Sequence, residues 1–96
     1  MTKVCILDYG SGNVGSVYNL IKFMNYDCII SNDLKEIEKA SHIILPGVGS
    51  FGAAMQKVKE KIPVKELENE VFKKNKPFLG IWVGMQIMAN LGEEFG

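Results

Sequence analysis

Three glycine-bearing loops hold the residues whose types and spacing could do chemistry. In Gly80-Ile81-Trp82-Val83-Gly84, glycines stand two residues either side of a central position. That is the spacing of a nucleophile elbow, where a strand turns sharply into a helix. Trp82 holds the centre, and an indole cannot attack a carbonyl. Pro46-Gly47-Val48-Gly49-Ser50-Phe51-Gly52 frees backbone N–H groups from any ladder and lets them converge, which suits an oxyanion. The same run also reads as a glycine-rich turn into a helix capped by Ser50. Gly10-Ser11-Gly12-Asn13-Val14-Gly15 is a literal G-x-G-x-x-G, and Asp33 lies about where a ribose-binding acid would be. Against a dinucleotide, Asp8 and Tyr9 put a carboxylate and a ring where a pyrophosphate would approach. Glycine also serves tight turns with no ligand. A structural or partner-facing turn is the stronger reading of this first loop.

Strands and helices in alternation must position these loops. Lys3 to Asp8, Asp27 to Ser31, His42 to Leu45 and Pro77 to Ile81 read as short strands. Between them, Val14, Val17, Tyr18, Ile21 and Met24 fall at helical spacing, with Ser11 or Asn13 as a cap. Asp33 and Glu36 resemble a capping box before Leu34 and Ile37. Helical sequence resumes from Ala53 to about Lys61, and Pro63 opens another helix with Val64, Leu67, Val71 and Phe72 on its apolar face. Val83 to Leu91 is helical again. Such alternation implies right-handed crossovers and an open parallel sheet with helices on both faces, an α/β fold. The three glycine loops follow strands one, three and four, and so share the carboxyl end of the sheet, where ligands bind.

Composition removes whole classes of function. Eleven basic against eleven acidic residues in 96 give a formal charge of zero, so nothing argues for nucleic acid or an anionic membrane as partner. Hydrophobic residues at 47% and charged residues at 23% are ordinary for a globular domain. No apolar run is long enough to span a bilayer, and no signal-peptide pattern precedes the first strand. Cys5 and Cys28 sit inside apolar runs, without metal-ligand spacing or a disulfide framework, and read as buried thiols of a cytoplasmic protein. His42, the only histidine, stands at a strand start and reads as structural. No metal or cofactor is called for. The sequence stops at Glu94-Phe95-Gly96 just after a helix, and a four-stranded parallel sheet is small, so truncation is expected. With it come an open strand edge and self-association or partial folding.

Taken together, Asp8-Tyr9-Gly10-Ser11-Gly12-Asn13 with Ser16, Leu45-Pro46-Gly47-Val48-Gly49-Ser50-Phe51-Gly52 and Gly80-Ile81-x-Val83-Gly84-Met85-Gln86 resemble a class I glutamine amidotransferase. The first two motifs are similar to those of the glutaminase subunits of imidazole glycerol phosphate synthase, in histidine biosynthesis. The resemblance implies the flavodoxin-like amidotransferase fold, incomplete at the C-terminus, with residues 1–96 forming the N-terminal portion of a single domain. It also implies a glutaminase that hydrolyses glutamine through a thioester and channels ammonia to a (β/α)8-barrel synthase partner in a heterodimer. In that chemistry a thiolate attacks the amide carbon, a His acts as acid and base, and a Glu orients the His. Trp82 corresponds to the nucleophile, where the family has Cys; the N–H groups of Val48 and Val83 to the oxyanion hole; Gly47, Gly49 and Gln86 to glutamine-binding positions; and Gly10, Ser11, Gly12 and Asn13 to a partner-facing loop. The His and Glu of the triad belong to a C-terminal half that this sequence does not include. A chain so composed is expected to be inactive. Alternatives are a paralogous glutaminase feeding a sugar-modifying synthase in surface-polysaccharide biosynthesis, a non-catalytic assembly module and, last, a dinucleotide-binding domain.

Overall fold

A computed structural model describes residues 2–81 and 84–89. Four strands, β1 (Lys3–Leu7), β2 (Asp27–Ser31), β3 (His42–Leu45) and β4 (Phe78–Gly80), form one sheet in the order β2-β1-β3-β4. All pairings are parallel: Lys3 opposes Asp27, Val4 opposes His42, and Leu45 opposes Gly80. The helices are α1 (Val14–Phe23), α2 (Leu34–Lys39), α3 (Phe51–Lys61), α4 (Val64–Glu68) and α5 (84–89). The chain leaves β1 toward β2 on one side and returns to β3 on the other. A crevice therefore opens at the carboxyl ends of β1 and β3, the switch point of the sheet.

Alternation along each strand divides the core into two layers. Cys5, Leu7, Ile43 and Leu45 point to one face, where Ile37, Val58, Ile62, Leu67 and Ile87 from α2, α3, α4 and α5 and the segments beside them cover them. Val4, Ile6, Cys28 and Ile44 point to the other face, which Val17 and Ile21 of α1 cover in part. Each buried apolar side chain contributes roughly 1.5–3 kcal/mol through removal from water. Among the described residues, the two faces are thus unequally covered.

The ends of the helices show where local chemistry departs from expectation. Asn13 stands at the N-cap of α1, yet its side chain makes no cap bond, because its Oδ1 accepts from Ser11 Oγ instead. The capping box is half made: Asp33 Oδ1 accepts from the Lys35 N–H, while the Glu36 carboxylate turns to Lys3 Nζ, 3.5 Å away. Ser50 caps α3 as expected, accepting from the Ala53 N–H at 3.3 Å, and the helix starts two residues earlier than its apolar spacing suggests, at Phe51. Strand one ends at Leu7 and strand four covers only Phe78–Gly80. Asn25 and Asn75 end helical segments with φ of 64° and 58°, the left-handed role that small amides tolerate.

Beyond α4 the chain widens into a π-helical turn, Asn69–Lys73, that carries a buried Glu70. Glu70 accepts from Lys74 Nζ and Lys76 Nζ, each at 2.7 Å. Lys76 Nζ also donates to the Ile37 and Glu38 carbonyls at the end of α2, at 2.9 and 3.0 Å. One ammonium therefore joins a buried carboxylate to the negative end of a helix just before β4 begins. These bonds hold the Glu70 carboxyl below the usual carboxylate range despite its burial.

Candidate active site

The turn after β4 is closed by two glycines that nothing larger could replace without movement. A Cβ on Gly80 would lie 2.6 Å from the Gly84 carbonyl oxygen and 2.8 Å from the Met85 nitrogen. A Cβ on Gly84 would lie 2.0 Å from the Leu45 carbonyl oxygen. That same oxygen accepts from the Ile81 N–H at 3.0 Å, and the Gly84 N–H donates to the Ile81 carbonyl at 2.8 Å. The strand-to-helix turn is thus wedged against the end of β3, with the two glycines supplying the clearance. This is the physical requirement behind the G-x-x-x-G spacing of an elbow. Trp82 and Val83, the expected nucleophile position and one expected oxyanion donor, lie outside the described residues. Gln86 is on the exposed side of α5, in its first turn.

The second loop starts one residue beyond the carbonyl against which the elbow packs. Pro46 and Gly47 are buried, Val48 is exposed, and Gly49 has a φ of +96°, a conformation that L side chains rarely adopt. Ser50 then caps α3. The buried Tyr9 hydroxyl donates to the Pro46 carbonyl and so ties the first loop to the second. Burial pushes the Tyr9 phenol up, which keeps it a proton donor. Between the two loops lies a cavity of about 150 Å³ bordered by Tyr9, Gly10, Ser11, Val48, Ser50 and Lys57. By residue type Tyr9 reads only as an obstacle to a pyrophosphate, and Lys57 gives no signal in the sequence. Its side-chain approach to Gly10, 3.8 Å from a Cβ built there, depends on packing that no local spacing announces.

The first loop does not do what a dinucleotide fingerprint requires. Its Gly10 takes a φ of +96°, but the Gly10 N–H donates to Asp8 Oδ1 at 3.2 Å. A Cβ on Gly12 or Gly15 would meet nothing within 4 Å. In the fingerprint the third glycine permits close packing of helix on strand, and Gly15 faces solvent. Gly10, Ser11, Gly12 and Asn13 instead form a turn at the carboxyl end of β1, beside the second loop.

The remaining chemical residues stand apart. Cys5 and Cys28 are free and buried, and they belong to opposite faces of the sheet. Burial pushes the Cys5 thiol up to about 11, so it is protonated at neutral pH. His42 is exposed at the first residue of β3, while the elbow meets that strand's last residue. The separation along β3 is roughly 10 Å at about 3.3 Å per residue. Its Nδ1 lies 2.9 Å from Ser41 Oγ. Neither thiol nor imidazole can serve the elbow.

A wedged strand-to-helix elbow beside a glycine loop, at the switch point of a 2-1-3-4 parallel sheet, has the layout of the nucleophile-elbow class of α/β scaffolds. The sequence model of the family described as glutamine amidotransferase class-I matches residues 5–94, and the chain belongs to that family. Among its relatives, the imidazole glycerol phosphate synthase subunit HisH 2 of Methanococcus maripaludis is 45% identical over 91 residues, covering 95% of this chain and 45% of that protein. HisH of Zymomonas mobilis is 42% identical over 100 residues, covering 99% and 46%. The chain spans less than half the length of these curated relatives. Among solved structures, a Thermoplasma acidophilum protein described as a component of GMP synthase aligns with a TM-score of 0.71 over 95% of this chain and 45% of its own. At 22% identity, that likeness speaks for the fold.

Proposed function

We propose that this chain is the N-terminal portion of a glutaminase of the HisH kind, and that it does not hydrolyse glutamine by itself. The observation that carries the reading is the elbow: Gly80 and Gly84 leave no room for a side chain against each other and against Leu45, a constraint that a plain strand-to-helix turn does not need. Relatives named as imidazole glycerol phosphate synthase subunits support the assignment to that synthase. In this reading a nucleophile at position 82 attacks the side-chain amide carbon of glutamine. The N–H groups of Val48 and Val83 receive the developing oxyanion, and Gly47, Gly49 and Gln86 hold the substrate. Collapse of the adduct releases ammonia, with a proton from a His, and leaves a thioester for water to cleave into glutamate. The ammonia passes to a barrel-shaped synthase partner that the Gly10–Asn13 loop faces. Trp82 removes the attacking thiolate, and the one His of the sequence sits at the wrong end of β3.

The test restores the missing parts one at a time. Trp82→Cys is combined with the C-terminal portion of the Methanococcus maripaludis relative, supplied as a separate chain, and ammonia release from glutamine is followed. Activity is expected only when the thiol and the second half are both present. Equal release with Trp82 retained would defeat the reading, as would a Trp82→Cys chain that works alone.

A further inference from the structure

We infer, on the glutaminase reading above, that the Tyr9 hydroxyl is a positioning group for the oxyanion loop. By holding the Pro46 carbonyl it sets where the Val48 N–H points. Tyr9 is 2% exposed and stands two residues past the end of β1, and Pro46 directly follows β3 and is fully buried. The two strands are paired, with Ile6 opposite Ile44. The phenol therefore crosses from one strand end to its neighbour, a gap of about 4.8 Å.

The place of this bond matters more than its existence. A buried tyrosine hydroxyl commonly finds some acceptor. Here the acceptor is the carbonyl from which the glycine loop starts. The ring of Pro46 locks its φ, and the bond to Tyr9 fixes the direction of its carbonyl, so both soft dihedrals of residue 46 are set. In a planar trans peptide the carbonyl and the following N–H point opposite ways, so the Gly47 N–H is aimed as well. Only the two dihedrals of Gly47 then separate this fixed peptide from the one that carries the Val48 N–H.

The loop is anchored again at its far end. Gly49 takes a φ of +96°, and Ser50 Oγ accepts from the Ala53 N–H at 3.3 Å. One residue before Pro46, the Leu45 carbonyl accepts from the Ile81 N–H of the elbow at 3.0 Å. Consecutive carbonyls at the end of β3 thus hold the elbow and Tyr9, which refers both expected oxyanion donors to one strand end. Among the described residues, no side chain other than that of Tyr9 bonds the backbone from Pro46 to Gly49. Gly47 and Gly49, without side chains, leave a released loop many conformations. Without the hydroxyl, the Val48 N–H loses its fixed aim.

Backbone amide NMR relaxation of the 96-residue chain tests this whether or not glutamine is turned over. In the unaltered chain the Gly47 and Val48 N–H order parameters should be near about 0.85, the value of rigid backbone, although Val48 is exposed. Tyr9→Phe keeps the ring and removes only the hydroxyl. It should bring both values below about 0.6 while those of β1, β3 and α3 stay unchanged. In Trp82→Cys combined with the second half of the relative, Tyr9→Phe should lower kcat about tenfold or more and leave KM within about twofold, because an oxyanion donor acts in the transition state. Flexible-backbone values at Gly47 and Val48 in the unaltered chain overturn the inference. So does a Tyr9→Phe chain that melts earlier with this loop still rigid, which marks the hydroxyl as structural alone, and so does a change confined to KM.

Discussion

Gly84→Ala is the sharpest perturbation of the elbow, because two opposing effects can be weighed from the structure. In a helix, replacing Gly by Ala gains about 1 kcal/mol from propensity. Against that, the added Cβ would sit 2.0 Å from the Leu45 carbonyl oxygen, whereas ordinary contact begins at 3.4 Å. The obstacle is backbone, and it is pinned by the Ile81 N–H at 3.0 Å. Relief requires α5 or the end of β3 to move by more than an ångström. Overpacking costs about 1–3 kcal/mol or more, and the loss of the Ile81–Leu45 bond at a buried strand end adds roughly 1–3 kcal/mol. The net expectation is a loss of about 2–4 kcal/mol, against a total stability of about 5–14 kcal/mol for a domain of this size. Urea unfolding followed by circular dichroism measures it, with Gly52→Ala as control. Gly52 lies in α3, and a Cβ there meets nothing within 4 Å, so Ala should be neutral or stabilise by up to about 1 kcal/mol. A Gly84→Ala chain as stable as its parent would refute the wedged elbow.

Lys76→Met should cost about 3 kcal/mol or more, because it strips a partner from buried Glu70 and leaves the Ile37 and Glu38 carbonyls without that ammonium; thermal melting measures it. Glu70 has a lowered folded-state pKa, so its contribution is present above the ordinary value near about 4.3 and is lost as pH falls through the lowered one. Glu70→Gln should therefore flatten the acid limb of a stability–pH curve, and an unchanged slope would contradict the ion cluster. Native Cys5 should resist iodoacetamide at pH 8 until the chain unfolds, while a Trp82→Cys thiol should react faster than Cys5 and Cys28, as peptide mapping would reveal. The raised Cys5 value carries the opposite pH sign: its contribution is full below the unfolded thiol value and is lost as pH rises toward about 11.

Much of this molecule could be read in its residues because the signals were local. The β2 and β3 boundaries, Asp27 to Ser31 and His42 to Leu45, follow from short apolar runs bounded by turn residues. The elbow follows from two glycines four residues apart, and the structure supplies the reason in Leu45. What escaped was long-range. Lys76 reaches carbonyls 38 and 39 residues earlier, and no spacing rule links them. The π-helical turn, Asn69–Lys73, falls inside an apolar pattern, Val64, Leu67, Val71 and Phe72, whose spacing reads as a single α-helix. Asn13 had the right type for a cap but was claimed by Ser11. Met24 matches the apolar stripe of α1 by spacing, yet it stands half exposed.

The central claim, that the amidotransferase scaffold is present without its chemistry, is met most directly by the release of ammonia from glutamine by the purified 96-residue chain. No release above a buffer blank is expected from the chain itself or from Trp82→Cys alone, since a thiol at position 82 would still lack the His that activates it and protonates the leaving amine. Sustained turnover by the unaltered chain, abolished by substituting one of its own residues, would contradict the account.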